Sequence, residues 1–426
     1  MEGWKHDKVK NQIQYKSGYT WSKEQELRQP EPGSVRVLTV TNIQEQLDLE
    51  EELYLKDVSE RDKEEKAVSK DWCIAVSSNG NRKRIGNCVF IKDDTDYLFA
   101  SFLTAFKPKI DSEIIPAYFY RWLSSYPVQE RLSAVSEGTT GLGNLSIRFL
   151  RNLDIHYPPK TAQTTIVKIL SKVDEAIEAV QGSITAAERL KKSLMQNLLT
   201  GKMKPDGTFR TPEEFYTDEK FGQVPIGWGV KRIDEISDDV QYGLNLASSE
   251  NGNIPLLRMN NIVNGGMTNS HLVYVNIDSQ LLQQYELEAG DILFNRTNSM
   301  DLVGKVGVFS LSGKYVFASY LIRIKVSKKY NPYYINYALN SYLIQCSLRS
   351  KATPAVSQAN INSKSLRQTN ILMPIGKQEQ DSIVNKIDYL VQIILKEQNK
   401  IIVLNKLKKS LVQNLLLGRT RVINEE

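Results

Sequence analysis

Arginine, asparagine, glutamine and lysine on loops are the side chains that read nucleic acid. Arginine pairs with guanine, asparagine or glutamine with adenine, and lysine and arginine also hold phosphates. Two stretches of this 426-residue chain have that composition. Ser77-Ser78-Asn79-Gly80-Asn81-Arg82-Lys83-Arg84 follows a short apolar run, and Asn295-Arg296-Thr297-Asn298-Ser299 follows another, Asp291-Ile292-Leu293-Phe294. The candidate DNA contacts are therefore Asn79, Asn81, Arg82, Lys83 and Arg84 in the first stretch, and Asn295, Arg296, Thr297 and Asn298 in the second. Arg258 and Asn260, in Arg258-Met259-Asn260-Asn261, form a third candidate. The plain alternative is a solvated basic turn, or for the third stretch asparagines that only make a turn. Loops 138–144 and 351–358 could contact phosphates or simply turn the chain. Lys191, Lys192, Lys408 and Lys409 could line DNA or a partner, or cover a solvated helix face.

Other chemistries lack their parts. Asn331-Pro332-Tyr333-Tyr334 is close to the Asn-Pro-Pro-Tyr of adenine methyltransferases, but the second proline is missing and no glycine-rich cofactor loop follows a strand upstream. Pro205-Asp206 with Asp218-Glu219-Lys220 superficially fits the paired acids and lysine of nucleases, yet it lies in a polar stretch without strands to converge it. There is no GxxxxGK[ST] loop for ATP, no paired spacing among His6, His156 and His271 for a metal, and no nucleophile–base set. Cys73, Cys88 and Cys346 are an odd, scattered set that fits buried free thiols better than disulfides or zinc. A net charge of +6, from 55 basic and 49 acidic residues, is compatible with a nucleic-acid partner without demanding one. The chain has no apolar run long enough for a membrane span and no signal-peptide core at its N-terminus, so a cytoplasmic protein without membrane contact is expected.

The elements that position the candidate loops come in duplicate. Residues 190–202 return as residues 407–419 with ten of thirteen positions identical, and the same offset pairs Gln163 with Gln380 and Ile166-Val167 with Ile383-Val384. Upstream, Leu98-Phe99-Ala100-Ser101-Phe102-Leu103 matches Val316-Phe317-Ala318-Ser319-Tyr320-Leu321. The matched part reads as a long helix. Ile166, Leu170, Val173, Ile177, Val180, Ile184, Ala187, Lys191, Leu194 and Leu198 alternate steps of four and three, a coiled-coil seam. The second copy runs Ile383, Ile387, Leu390, Ile394, Glu397, Ile401, Leu404, Lys408, Leu411 and Leu415, and only Lys191, Glu397 and Lys408 break the stripes. Such a helix spans roughly 60 Å. Its natural partner is its own copy; burial inside a compact domain is the alternative.

The spacing predicts an α/β (α+β) protein: two globular domains and two long helices that partner each other as a coiled coil, in a pseudo-twofold repeat. The expected boundaries are a first domain over 1–157, a first helix over 158–202, a linker over 203–222, a second domain over 223–373 and a second helix over 374–420.

In this order the motifs resemble the specificity subunit of type I restriction-modification systems, over essentially the whole chain. Lys192 to Gly201 and Lys409 to Gly418 are similar to the phrase that ends the family's helices. Pro158-Pro159 to Gln163 and Pro374 to Gln380 are similar to the segments that enter them. Gly227-Trp228 after Val224-Pro225, and Gly290-Asp291-Ile292-Leu293, resemble the domain openings; the first half departs from the last phrase, having Lys70-Asp71-Trp72-Cys73-Ile74. The resemblance implies a non-catalytic subunit whose two target-recognition domains each read half of a bipartite double-stranded DNA target. Its helices would pack as an antiparallel coiled coil, hold the domains at a fixed separation and dock two methyltransferase subunits, with a motor-nuclease subunit as a further partner. S-adenosylmethionine, ATP and magnesium would then belong to those partners, and this chain would hold no cofactor or metal. The rival reading is a coiled-coil adapter whose globular parts bind proteins.

Overall fold

The structure, a computed structural model, describes residues 3–135, 143–354 and 358–420. The chain divides into two units, Met1–Gln181 with Asn399–Glu426, and Gly182–Gln398. The division runs through two helices of forty residues each, α1 (Lys160–Leu199) and α2 (Lys377–Leu416). Each unit therefore holds one globular part, the start of one helix and the end of the other.

Both helices are continuous because neither contains proline or glycine enough to break them and each carries an unbroken 3–4 stripe. Every stripe position in both helices is buried or half-buried. In the first unit Leu415 and Leu416, at the end of α2, share a core with Ile166 and Leu170 at the start of α1, and Leu411 packs against it. In the second, Leu198 at the end of α1 shares a core with Ile383, Val384 and Ile387 at the start of α2, with Leu194 packed alongside. Start meets end both times, so the helices pack antiparallel. One break in the stripe has a physical reason: Lys408 lies 2.7 Å from Asp174, whose other oxygen is 2.5 Å from Arg121.

The globular parts repeat one plan. In the first unit β1 (Ile13–Ser17), β2 (Cys73–Val76), β3 (Cys88–Phe90) and β4 (Leu103–Pro108) form an antiparallel sheet in the order β1-β4-β2-β3. In the second, β5 (Ser237–Tyr242), β6 (Ile292–Asn295), β7 (Val306–Val308) and β8 (Leu321–Val326) follow the same path, β5-β8-β6-β7, and two short strands extend it to six. The central strands β2 and β6 are buried at every residue, which is why they read as apolar runs, broken only at Asn295.

The polar core is duplicated as well. Gln163 and Gln380 are fully buried. Gln163 accepts from the Ile115 amide and donates to the Pro158 carbonyl; Gln380 accepts from the Asn331 amide and donates to the Pro374 carbonyl. Asn42 and Asn261 close equivalent turns, accepting from the amides of Thr39 and Arg258. The departure at Lys70–Ile74 also resolves. Asp71 and Gly290 both adopt positive φ (72° and 96°), and their amides donate to Ile91 and Phe309 at matching places. The first copy uses aspartate where the second uses glycine, in a left-handed conformation that aspartate tolerates better than most residues.

The stretch 203–222, expected to be a linker, is ordered. Phe215–Asp218 and Gly222–Pro225 form a hairpin, and Arg210 joins the Gly201 carbonyl to Glu379, which also accepts from the Trp228 ring nitrogen. Asp206 and Asp218 each accept amides of their own turns, from Thr208 and from Lys220 and Phe221. They are local caps. Asn331, of the Asn-Pro-Tyr-Tyr phrase, caps its helix by accepting from the Tyr333 and Tyr334 amides.

Candidate nucleic-acid interface

The two candidate loops leave equivalent strands, β2 and β6. Val76 faces Leu103 across the sheet as Asn295 faces Leu321. Immediately beyond, Ser78–Asn79 pairs with Gly143–Asn144, and Thr297–Asn298 pairs with Ala359–Asn360. Ser78 and Asn79 thus correspond to Thr297 and Asn298. The arginines do not correspond: Arg296 matches Ser77, and Arg84 falls opposite Leu302, because Gly86 and Gly304 close the loops equivalently by donating to Val76 and Asn295.

In the first loop Asn79 is half-buried and accepts from the Asn81 amide, and exposed Asn81 accepts from the Lys83 amide. These two asparagines shape a single turn that presents Arg82 and Lys83 at the exposed surface. Arg84 points the other way. Its guanidinium is half-buried and donates to the Val40 and Ile43 carbonyls at 3.0 and 2.7 Å, tying down a neighbouring turn. Both bonds come from Nη2, so one nitrogen of this guanidinium serves the frame.

In the second loop Asn295 is the main correction. It is 0% exposed, and its amide donates to the Leu302 carbonyl. Arg296, Thr297 and Asn298 are half-buried but assembled. The Arg296 guanidinium stacks over the Tyr242 ring at 4.8 Å and donates to the Asn360 side-chain oxygen, while the Asn360 amide donates to Thr297 Oγ1 at 2.9 Å. Asn298 lies 3.4 Å from the Met259 sulfur, which joins the third candidate stretch to this loop. Arg258 donates to the His271 carbonyl, and Asn260 is exposed.

Five buried side-chain polar atoms among the described residues lack a partner, and three of them, Arg258 Nε, Asn295 Oδ1 and Arg296 Nε, belong to these candidate residues. Such a group costs about 1–3 kcal/mol, so their concentration here sets this region apart from the rest of the core. Tyr242 and Asn360 are members of the cluster that the sequence did not single out. The only signal was the alternation Gln358-Ala359-Asn360-Ile361-Asn362, a strand pattern beside a polar loop. Residues 138–142 and 355–357, parts of the two glycine- and hydroxyl-bearing loops, lie outside the described residues.

The lysines flagged on the helices divide. Lys408 is paired with Asp174, and Lys409 lies over the Tyr126 ring at 5.0 Å; Lys192 is exposed and Lys191 half-buried. Among the described residues no group of histidine, cysteine, aspartate and glutamate could hold a metal, and no helix is long and apolar enough to cross a membrane.

Comparison with known proteins finds the same duplicated plan. The family described as type I restriction modification DNA specificity domain matches twice, over residues 1–189 and 225–406. The StySPI type I restriction enzyme specificity subunit of Salmonella potsdam is 23% identical over 394 residues, 91% of this chain and 82% of that one. A specificity subunit named for the type I restriction enzyme MjaX of Methanocaldococcus jannaschii is 30% identical over 213 residues, about half of each chain (47% and 49%). The solved S subunit of a type I restriction-modification system from M. genitalium shares the fold, with a TM-score of 0.56 at 15% identity over 97% of this chain and 96% of that one.

Proposed function

From the premise that this chain belongs to the type I restriction modification DNA specificity family, which matches both its halves, we propose that it reads a two-part DNA target, one part with each unit. The observation that carries the reading is the doubled loop pair. Ser78–Asn79 with Gly143–Asn144, and Thr297–Asn298 with Ala359–Asn360, leave equivalent strands of two copies of one frame, yet differ in charge and length. Identical frames with different reading groups suit an asymmetric target.

Base edges in the major groove offer donor and acceptor pairs that arginine and asparagine match bidentately. Arg296, preorganised on Tyr242, and Asn298 are the groups assigned to base reading in the second unit. Arg82 and Lys83 hold phosphates in the first. The chemistry belongs to other subunits. Two methyltransferase subunits dock on the helices and bind S-adenosylmethionine, and a motor-nuclease partner brings ATP and magnesium. Their shared substrate places this work in the cytoplasm.

The test is a strand-resolved methylome of cells expressing a cognate methyltransferase subunit, with and without this chain. Methylation is expected only with the chain, at one two-part motif with a fixed gap. Methylation unchanged by removing the chain would leave the adapter reading in its place.

A further inference from the structure

We propose that Phe102 and Tyr320 are a matched pair of DNA-contacting rings, each packing against base faces in the half-site that its own unit reads. The proposal deepens the function above and rests on it.

Both residues occupy the third position of the same turn, Ala100-Ser101-Phe102-Leu103 and Ala318-Ser319-Tyr320-Leu321. Everything around the two rings is fixed. The turns close by hydrogen bonds from Leu103 to Ala100 (2.9 Å) and from Leu321 to Ala318 (2.8 Å), and both leucines are completely buried. The Ala100 and Ala318 amides donate to Leu38 and Leu257. Gly18 and Gly243 lie so close that an added Cβ would sit 2.0 Å from the Ala100 carbonyl oxygen and 2.3 Å from that of Ala318. Out of these clamped turns the rings project into solvent, 53% exposed for Phe102 and 51% for Tyr320.

Exposure alone does not single a ring out, since scattered apolar side chains are normal on surfaces. Two further facts do. The exposed ring recurs at the same position of both copies. The same residue is also stitched to the candidate reading loop: the Phe102 carbonyl accepts from the Ser77 and Ser78 amides at 2.8 and 3.1 Å, and the Tyr320 carbonyl accepts from the Arg296 amide at 3.0 Å. Each ring is thus held in register with a loop that carries arginine, asparagine or lysine. One copy has a hydroxyl and the other has none, so what the copies share is a flat apolar face. A rigid aromatic face beside cations is what protein surfaces use to stack on bases or to wedge a base step open.

The test uses the chain in complex with its methyltransferase subunits, on duplexes carrying the motif found by methylome sequencing, with 2-aminopurine placed in turn at each position. The wild-type complex is expected to raise probe fluorescence at one or more positions in each half-site. Phe102→Ala should abolish the signal in the half read by the first unit only, and Tyr320→Ala in the other half only. Each should weaken binding roughly 5- to 150-fold, the loss for one base stack, while Phe102→Tyr and Tyr320→Phe retain it. Thermal unfolding should match the wild type, because neither ring is core. Wild-type binding by both alanine variants would overturn the proposal, and so would a lowered unfolding temperature that accounts for lost binding. If no methylation motif depends on the wild-type chain, the functional reading fails before the rings are tested. A motif that the alanine variants leave fully methylated and tightly bound sinks the rings alone.

Discussion

The first loop, residues 78–85, and the second, residues 297–303, grow from the same frame and finish differently. The first is one residue longer and places Arg82 and Lys83 at the exposed surface on a turn shaped by asparagines. The second has Met300-Asp301-Leu302 at the corresponding place and instead draws Arg296, Thr297 and Asn298 into a packed cluster with Tyr242 and Asn360. Frame and reading surface are therefore separable. The buried glutamines, turn-closing asparagines and clamped turns are repeated, whereas the placement of the loop cations is not. A frame held by backbone hydrogen bonds can accept new loop residues without repaying the cost of folding.

The comparison breaks most visibly at the clamped turns. Gly18→Ala and Gly243→Ala drive a methyl group into a carbonyl that cannot move, and each should destabilise its own unit by about 3 kcal/mol in denaturant unfolding. Near-wild-type stability in either would mean that the two frames are not equivalent. Next come the glutamines. Gln163→Ala and Gln380→Ala each leave a buried amide and carbonyl unpaired, and losses of about 1–3 kcal/mol, alike in both, are expected.

The loops should then diverge. Arg296→Ala is expected to relax specificity at one base position at a cost of about 1–3 kcal/mol. Lys83→Ala should weaken binding evenly across sequences and lower the salt slope by about 1. Equal behaviour of the two variants on matched and mismatched duplexes would remove the distinction between them.

The smallest effect is acid sensitivity confined to the first unit. Burial pushes the Asp174 carboxyl up, but Lys408 and Arg121 together outweigh it and hold it below its usual range. A depressed carboxylate stabilises the fold above the unfolded value near 4, and that contribution is lost as pH falls through the folded value. Hydrogen exchange in the first unit should therefore accelerate below about pH 4, and Asp174→Asn should flatten that dependence.

Much of this was legible in sequence, for identifiable reasons. A heptad stripe is a local periodic signal, so the helices and their partnership could be read from the positions of Ile166 to Leu198 and Ile383 to Leu415. The loops were found because polar residues abruptly follow apolar runs. Depth was not legible. Asn295 looked like the first residue of a loop but is the last residue of a strand covered on both faces, and Arg84 looked solvated while its guanidinium closes a distant turn. Tyr242 and Asn360 reach the second loop from 54 residues before and 64 after Arg296, separations over which no pattern carries. Residues 203–222 read as a linker because they are polar and carry Pro205, Gly207 and Pro212, while the hairpin of Phe215–Asp218 with Gly222–Pro225 straddles the end of that stretch.

The measurement that bears most directly on the account is an exchange of residues 1–157 for the first domain of another family member, followed by strand-resolved methylome sequencing. One half of the two-part motif should change while the other half stays as it was. A motif that is unchanged, or altered in both halves at once, would contradict the assignment of one half-site to each unit.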